Sequence, residues 1–169
     1  TENLSTTDLY TTADLPGLEQ AVELIHGAIG LRLDSKDRPG NPSSGFEIEL
    51  NGGMYHQING AEYGFWKYRA DLTRYVHLFT DRVLVVRAAA ERTDPLDGKL
   101  IPFYALAELG RKETIRGFER GRFRDNDYLL GSLEYRYPVW RNWDEHGLDF
   151  LIFADAGQVA TDLFDDVDF

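Results

Sequence analysis

The chain has 169 residues, a formal net charge of −11 and no cysteine. This length fits one domain, the acidic balance argues against a nucleic-acid partner because phosphate binding needs a cationic face, and the lack of cysteine excludes disulfides and thiolate metal sites. No apolar stretch approaches the roughly 18 residues of a spanning helix, because the longest, Val83–Ala90, contains Arg87.

The first twenty residues show no period, are rich in Thr and Asp, and contain Pro16-Gly17. Residues 1–20 are therefore predicted to form a polar loop or an extended terminal segment. After them, polar and apolar side chains alternate with the period of two that indicates β-strands. About six strands are predicted, over Glu23–Asp34, Phe46–Tyr55, Phe65–Phe79, Arg82–Arg92, Tyr128–Val139 and Leu148–Val159.

The connections between these strands differ in length. Thr80-Asp81 is predicted to be a tight turn, and Ser35–Gly45, rich in Pro, Gly and Ser, a longer one. A loop of roughly thirty residues, about 95–125, follows the fourth strand, and loops of this length tend to be functional. Within it, Phe103–Glu108 is a helix candidate too short to stand alone. Short turns at one end and long loops at the other are typical of outer-membrane barrels.

The medium that the apolar strand faces contact decides the fold class. A soluble β-sandwich also alternates, but its strands usually run nearer 5–6 residues, and membrane-spanning strands need about 10. Arg74 is the one clear conflict on the apolar face of Phe65–Phe79. Aromatic residues gather near strand ends, where interfacial girdles lie: Tyr63, Trp66, Tyr137, Trp140 and Trp143. The pattern favours an all-β, antiparallel transmembrane β-barrel, with a soluble antiparallel β-sandwich binding module as the alternative.

A barrel enzyme is a third class with less support. The histidines lie on separate segments, and no two have ligand spacing: His26, His56, His77 and His146. No serine lies in a nucleophile motif, and the acidic run Asp165-Asp166 with Asp168 is typical of a solvated loop. We therefore expect no enzyme activity, no catalytic residue, no cofactor and no metal.

The most informative segment is IRGFERGRFRD at Ile115–Asp125, which holds four arginines, two glycines and two phenylalanines. Taken alone, it is typical of a solvated surface loop. The next strand and the FADAGQV segment at Phe153–Val159 change this interpretation. Alternation places one carboxylate of each, Glu134 and Asp155, on a polar face that can receive a loop arginine.

These segments resemble a known family. IRGF and RFRD, followed by LLGSLEYRYPVW and FADAGQV, resemble in order and spacing the C-terminal barrel of the BamA/TamA superfamily. This is the bacterial surface antigen family of outer-membrane insertases and secretion pores. DSKDRPGNPSSG resembles a turn of that family, and PFYALAELG the first part of its sixth extracellular loop. Together the motifs cover about Leu31–Val159, most of the chain.

The resemblance implies a barrel of sixteen strands in the bacterial outer membrane. Residues 21–169 would form part of it, because six strands are too few to close a barrel. Either further strands of a longer chain complete the barrel, which is the favoured interpretation, or several chains share one barrel. It also implies that the loop of about 95–125 folds into the lumen. Its motif would be Arg116, Gly117 and Phe118, with Arg116 paired to Glu134 and Asp155 as a structural latch. Gly117 would permit a positive φ, and Phe118 would wedge against the wall.

The implied function is non-enzymatic: insertion of β-rich clients into the membrane, or secretion across it. The expected partners are the lipid bilayer and either unfolded outer-membrane client proteins or a secreted passenger, with accessory lipoproteins as further candidates. The barrel part of a self-secreting fusion protein is an alternative within the same resemblance.

Overall fold

The computed structural model describes residues 15–18, 21–141 and 147–163. Most of the predicted terminal segment 1–20, Trp143, His146 and the acidic run after residue 163 lie outside this part. The described residues form eight strands: β1 Leu24–Asp34, β2 Gly45–Gln57, β3 Gly64–His77, β4 Val83–Pro95, β5 Ala107–Leu109, β6 Phe123–Asp125, β7 Asp127–Arg141 and β8 Gly147–Ala160.

The six long strands form one sheet in the order β1-β2-β3-β4-β7-β8. Every neighbouring pair is antiparallel, which confirms the predicted all-β antiparallel fold. The sandwich alternative is wrong, because a sandwich needs two long sheets packed face to face. The short strands β5 and β6 pair only with each other, within the connection from β4 to β7.

Helical structure is limited to one short element in the described ranges. A 3-10 turn covers Phe103–Ala105, so the helix candidate Phe103–Glu108 is wrong beyond Ala105, where the chain becomes extended and enters β5. No helix among residues 15–18, 21–141 and 147–163 is long and apolar enough to cross a membrane.

One face of the sheet, here called the apolar face, exposes large aliphatic side chains. Ile29, Leu72 and Ile152 are 82, 46 and 60% exposed, although they lie in the middle of strands. Exposed apolar surface on this scale is unfavourable in water and marks a face that contacts another apolar medium. Arg74 also lies on this face, three residues before β3 ends, and its long side chain can extend toward the end of the strand.

The opposite face, here called the polar face, carries charges of both signs and is partly covered by the connection from β4 to β7. A cavity of about 740 Å³ lies between the wall and this connection. Lys67 and Arg69 line it from β3, and Glu108, Arg120 and Arg124 line it from the connection. Glu108 accepts hydrogen bonds from both of these loop arginines, at 3.1 and 2.8 Å, so one carboxylate holds two arginines within the connection itself.

The turns are ordered as their sequences predict. Thr80 and Asp81 both have positive φ, 55° and 60°, the pattern of a tight hairpin turn between twisted strands. In the turn between β1 and β2, Asp37 accepts hydrogen bonds from Ser43 Oγ and from the backbone N–H groups of Ser43 and Ser44. The Ser43 hydroxyl, together with these amides, holds the pKa of Asp37 below its usual value.

The predicted aromatic girdle is only partly correct. Trp66, Tyr137 and Trp140 are 38, 37 and 56% exposed near strand ends, in agreement with the prediction. Tyr63 is 1% exposed, so its assignment to an interfacial girdle is wrong. It forms a β-bridge with Leu100, so the first part of the connection from β4 to β7 covers it.

Candidate functional site

The connection from β4 to β7, residues 96–126, is here called the long loop. It leaves from one end of the sheet and lies along the polar face. Lys67 Nζ on β3 donates a hydrogen bond of 2.9 Å to the carbonyl of Ala105. The pairing of Leu109 with Phe123 in the short β5–β6 ladder then gives the loop its own backbone hydrogen bonds. An ordered loop of this kind can carry specific contacts to the wall.

An apolar cluster attaches the middle of the loop to the sheet. Leu109 and Ile115, 1 and 7% exposed, pack with Ala89, Tyr128 and Leu130 of the wall. Fully burying a side chain of the size of Leu or Ile stabilises a structure by about 1.5–3 kcal/mol. The cluster therefore holds the loop on the wall independently of any charge.

Gly157 on β8 makes room for this cluster. A Cβ atom there would lie 3.0 Å from Leu109 Cδ1, 3.1 Å from Ile115 Cδ1 and 2.9 Å from the carbonyl oxygen of Leu129. Contacts this short require the neighbours to shift, and a backbone oxygen shifts with difficulty. The glycine of the FADAGQV segment is thus the residue that lets the loop approach β8 closely.

Arg116 lies next to this cluster and binds three side chains on β7 and β8. Its Nε and Nη2 donate to the two carboxylate oxygens of Asp155 at 2.8 and 2.7 Å, and its backbone N–H donates to the same carboxylate at 3.0 Å. Its Nη1 donates to Glu134 at 2.5 Å, and Nη2 donates to Ser132 Oγ at 3.0 Å. All three nitrogens of the planar fork thus donate hydrogen bonds, and the guanidinium also lies 3.6 Å from the ring centroid of Phe153.

The cluster of charges at Arg116 is sheltered and balanced. The side chains of Asp155, Glu134 and Arg116 are 3, 14 and 23% exposed. Arg136 donates from Nε to the second oxygen of Glu134 at 2.7 Å, so two arginines face two carboxylates. The hydrogen bonds to Asp155 raise the pKa of Arg116 further above its already high value, and the guanidinium stays charged at any physiological pH.

The two residues after Arg116 differ in their surroundings. Gly117 has φ +93°, a conformation that side-chain-bearing residues rarely adopt. Phe118 is 48% exposed and packs edge to face on Phe123 of the same loop, with ring centroids 5.3 Å apart. Phe118 thus contacts a loop residue, whereas the family resemblance predicts a contact with the wall.

Several contacts of the long loop were not predicted from the sequence. Arg87 on β4 donates a hydrogen bond of 2.6 Å to the carbonyl of Glu113, while its other nitrogens bind Asp71 on β3. Ser132 and Phe153 complete the surroundings of Arg116. Alternation assigns Arg87, Asp71 and Ser132 to the polar face, and that shared face is the signal that relates them to the loop.

Asp155→Asn is expected to release the loop more than Glu134→Gln. Asp155 accepts three hydrogen bonds from Arg116, whereas Glu134 accepts one, and a hydrogen bond to a charged group contributes about 1.5–3 kcal/mol. We expect losses of about 3 and about 1.5 kcal/mol, measured as the rate of tryptic cleavage at the exposed Arg120. Asp97→Asn, at an exposed carboxylate of the same loop far from the cleavage site, is the matched control. Equal cleavage rates for the first two variants would contradict the ranking.

The charged side chains around Arg116 are bound to one another. The carboxylates of Asp155 and Glu134 accept hydrogen bonds from Arg116 and Arg136, which leaves them poorly suited to bind a cation. Within residues 15–18, 21–141 and 147–163, no group of three His, Asp or Glu side chains is placed to hold a metal ion.

Comparison with known proteins gives two findings. The sequence matches the Omp85 superfamily domain over residues 16–164. The fold is similar to the crystal structure of BamA from Haemophilus ducreyi lacking POTRA domains 1-3, with a TM-score of 0.70 and 19% sequence identity. The match covers 82% of this chain and 30% of that chain, so this chain spans about a third of the length of the protein it matches.

Proposed function

Because this chain belongs to the Omp85 superfamily and is therefore a β-barrel protein of the bacterial outer membrane, we propose that it forms part of a barrel that assembles proteins into that membrane. The observation that carries the proposal is the division of the sheet into two unlike faces. The apolar face suits contact with the lipid bilayer, and the polar face suits a wet lumen.

The long loop is proposed to fold inward and to fill part of the lumen. Its attachment by an apolar cluster and by Arg116 supports this, because both lie on the polar face. Arg116, Glu134 and Asp155 are here called the latch. In this proposal the latch fixes the position of the loop, and Gly117 and Phe118 shape the backbone and the loop packing that follow it.

The proposed mechanism is non-enzymatic. Free energy for insertion would come from the client itself, which pairs its backbone groups and buries apolar side chains as it enters the bilayer. The barrel would supply a path, and the position of the loop would determine how much of the lumen is open. The proposed partners are unfolded outer-membrane client proteins, with accessory lipoproteins as further partners.

Secretion of a passenger through the lumen is the second candidate, including the case in which the passenger is fused to the barrel. It is favoured by the cavity of about 740 Å³ between loop and wall, which is lined by Lys67, Arg69 and Arg124 among others. A polar, charged lining suits an extended polypeptide in transit more than it suits the apolar side chains of a membrane-inserted strand.

The test uses the full-length protein that contains this chain, reconstituted in lipid vesicles. A urea-denatured outer-membrane barrel protein is added, and its folding is followed by heat-modifiable migration on gels. We expect folding at least several-fold faster than in vesicles without the protein. Passage of a passenger into protease-protected vesicle lumen, without faster client folding, would favour the secretion candidate. If the protein shows neither faster client folding nor passage of a passenger, the proposal is overturned.

A further inference from the structure

The turn between β1 and β2 makes contacts far from its own strands. Asn41, at the tip of this turn, donates from Nδ2 to Asp149 on β8 at 3.1 Å and accepts a hydrogen bond from Arg136 Nη1 on β7 at 3.0 Å. These partners are 108 and 95 residues away in sequence. Because β1 and β2 lie at one side of the sheet and β7 and β8 at the other, the turn crosses the polar face.

Arg136 connects this turn to the latch. Its Nε binds Oε1 of Glu134 at 2.7 Å, while Arg116 binds Oε2 of the same carboxylate at 2.5 Å. A carboxylate whose two oxygens are bound by two different arginines has one favoured orientation. Without Arg136, Glu134 regains rotational freedom and two sheltered carboxylates share a single arginine. The hydrogen-bonded chain therefore runs from Asn41 through Arg136 and Glu134 to Arg116.

Hydrogen bonds within the turn fix its shape independently of its contacts with β7 and β8. Arg38 Nε donates to the carbonyl of Asn41 at 2.7 Å, and Asp37 binds Ser43 and Ser44 within the turn. Pro42, next to Asn41, is buried. A side chain presented by an ordered turn loses little further conformational entropy when it binds, so Asn41 is well placed to fix Arg136.

We propose that Arg136 is a positioning residue for the latch and that Asn41 holds Arg136 in place. Arg116 enters from the end of the sheet where β4 and β7 meet the long loop, whereas Asn41 comes from the opposite end, where β1 and β2 meet. The turn at one mouth of the barrel thus stabilises the loop that enters from the other mouth. This inference rests on the latch role proposed above.

The experiment changes Asn41 in the turn and measures how readily a cysteine in the long loop is labelled. The full-length protein, with Ile115→Cys at the buried loop position next to Arg116 as its sole cysteine, is folded in vesicles and labelled with a maleimide, so that labelling requires the loop to leave the wall. Asn41→Leu removes the acceptor for Arg136 and is expected to raise the labelling rate about tenfold, the lower end of the effect of losing one hydrogen bond to a charged group. A merely local role of Asn41 in its own turn would leave labelling of the loop unchanged.

Two variants separate the two hydrogen bonds of the Asn41 side chain, one with Arg136 and one with Asp149. Asn41→Asp, made together with Asp149→Asn so that no two carboxylates face each other, keeps an acceptor for Arg136, and its labelling is expected to stay within about twofold of the parent. Asp149→Asn alone changes only the hydrogen bond between Asn41 and residue 149, and its labelling is expected to stay within the same range. Heat-modifiable migration establishes that each variant is folded. Faster labelling of Asn41→Asp, equal to that of Asn41→Leu, would overturn the inference, because Arg136 would then not be the connecting residue.

Arg116→Ala distinguishes failure of this inference from failure of the latch. Faster labelling in Arg116→Ala with no response in Asn41→Leu overturns the positioning role alone. An unchanged labelling rate in Arg116→Ala would contradict both the latch and the positioning role of Arg136.

Discussion

Replacing Arg116 by glutamate is expected to detach the tip of the long loop from the wall and to lower assembly activity. The substitution removes the partner of Glu134 and Asp155 and adds a third carboxylate beside them. Removing one partner of a buried ion pair costs about 3–5 kcal/mol. Because Arg116 is itself 23% exposed, we expect a value near the lower end, about 3 kcal/mol, before like-charge repulsion is added.

The measurement is tryptic cleavage of the loop in the folded, full-length protein. A destabilisation of about 3 kcal/mol corresponds to a more than hundredfold rise in the population of the detached loop, which protease detects as faster cleavage. Arg122→Glu makes the same change of charge at an exposed arginine of the same loop and serves as the control. Unchanged protease resistance in Arg116→Glu would show that Arg116 does not hold the loop.

Leu109→Ala is expected to be nearly as damaging, although it touches no charge. Leu109 is 1% exposed and packs with Ile115 against the wall, and Leu→Ala substitutions at buried sites cost about 2–5 kcal/mol. We expect about 3 kcal/mol, measured as faster hydrogen exchange of the β5 amides, whose ladder depends on this packing.

Leu100→Ala provides the comparison, because Leu100 belongs to the same loop but is 51% exposed. A surface substitution of this kind changes stability by less than about 0.5 kcal/mol. If Leu109→Ala and Leu100→Ala exchange at the same rate, the apolar cluster contributes nothing to the position of the loop, and the charges at Arg116 carry it alone.

The sequence was sufficient to predict the long strands and their faces, because alternation is a direct record of which side chains meet an apolar medium. It could not predict β5 and β6. Each has only three residues, too few to show a period, and they form because the loop folds back on itself. The buried position of Tyr63 depends on the same loop covering the start of β3.

The pairing of Arg116 with Glu134 and Asp155 was expected from the family resemblance, and alternation independently placed both carboxylates on one face. The contacts of Arg87 with Glu113 and of Asn41 with Arg136 were not expected. Each joins residues whose separation is set by the curvature of the sheet and by the shape of a turn, and neither quantity follows from the order of polar and apolar residues.

Arg74 has a consequence for the thickness of the surrounding membrane. Arg92 on β4 also lies on the apolar face, where it is paired with Tyr68 on β3. Tyr68 and Arg74 are six residues apart on β3, so the two arginines are separated by roughly 20 Å along the strands. At a tilt of about 40°, that length crosses roughly 15 Å of bilayer, less than the usual apolar band of about 25 Å. The neighbouring β7 stays free of charge on this face from Leu129 to Val139. Arg92 pairs at 2.8 Å with Asp94, two residues nearer the end of β4. The charge-free band at β3 and β4 is therefore narrower than that on β7 and fits a thinner layer of hydrocarbon.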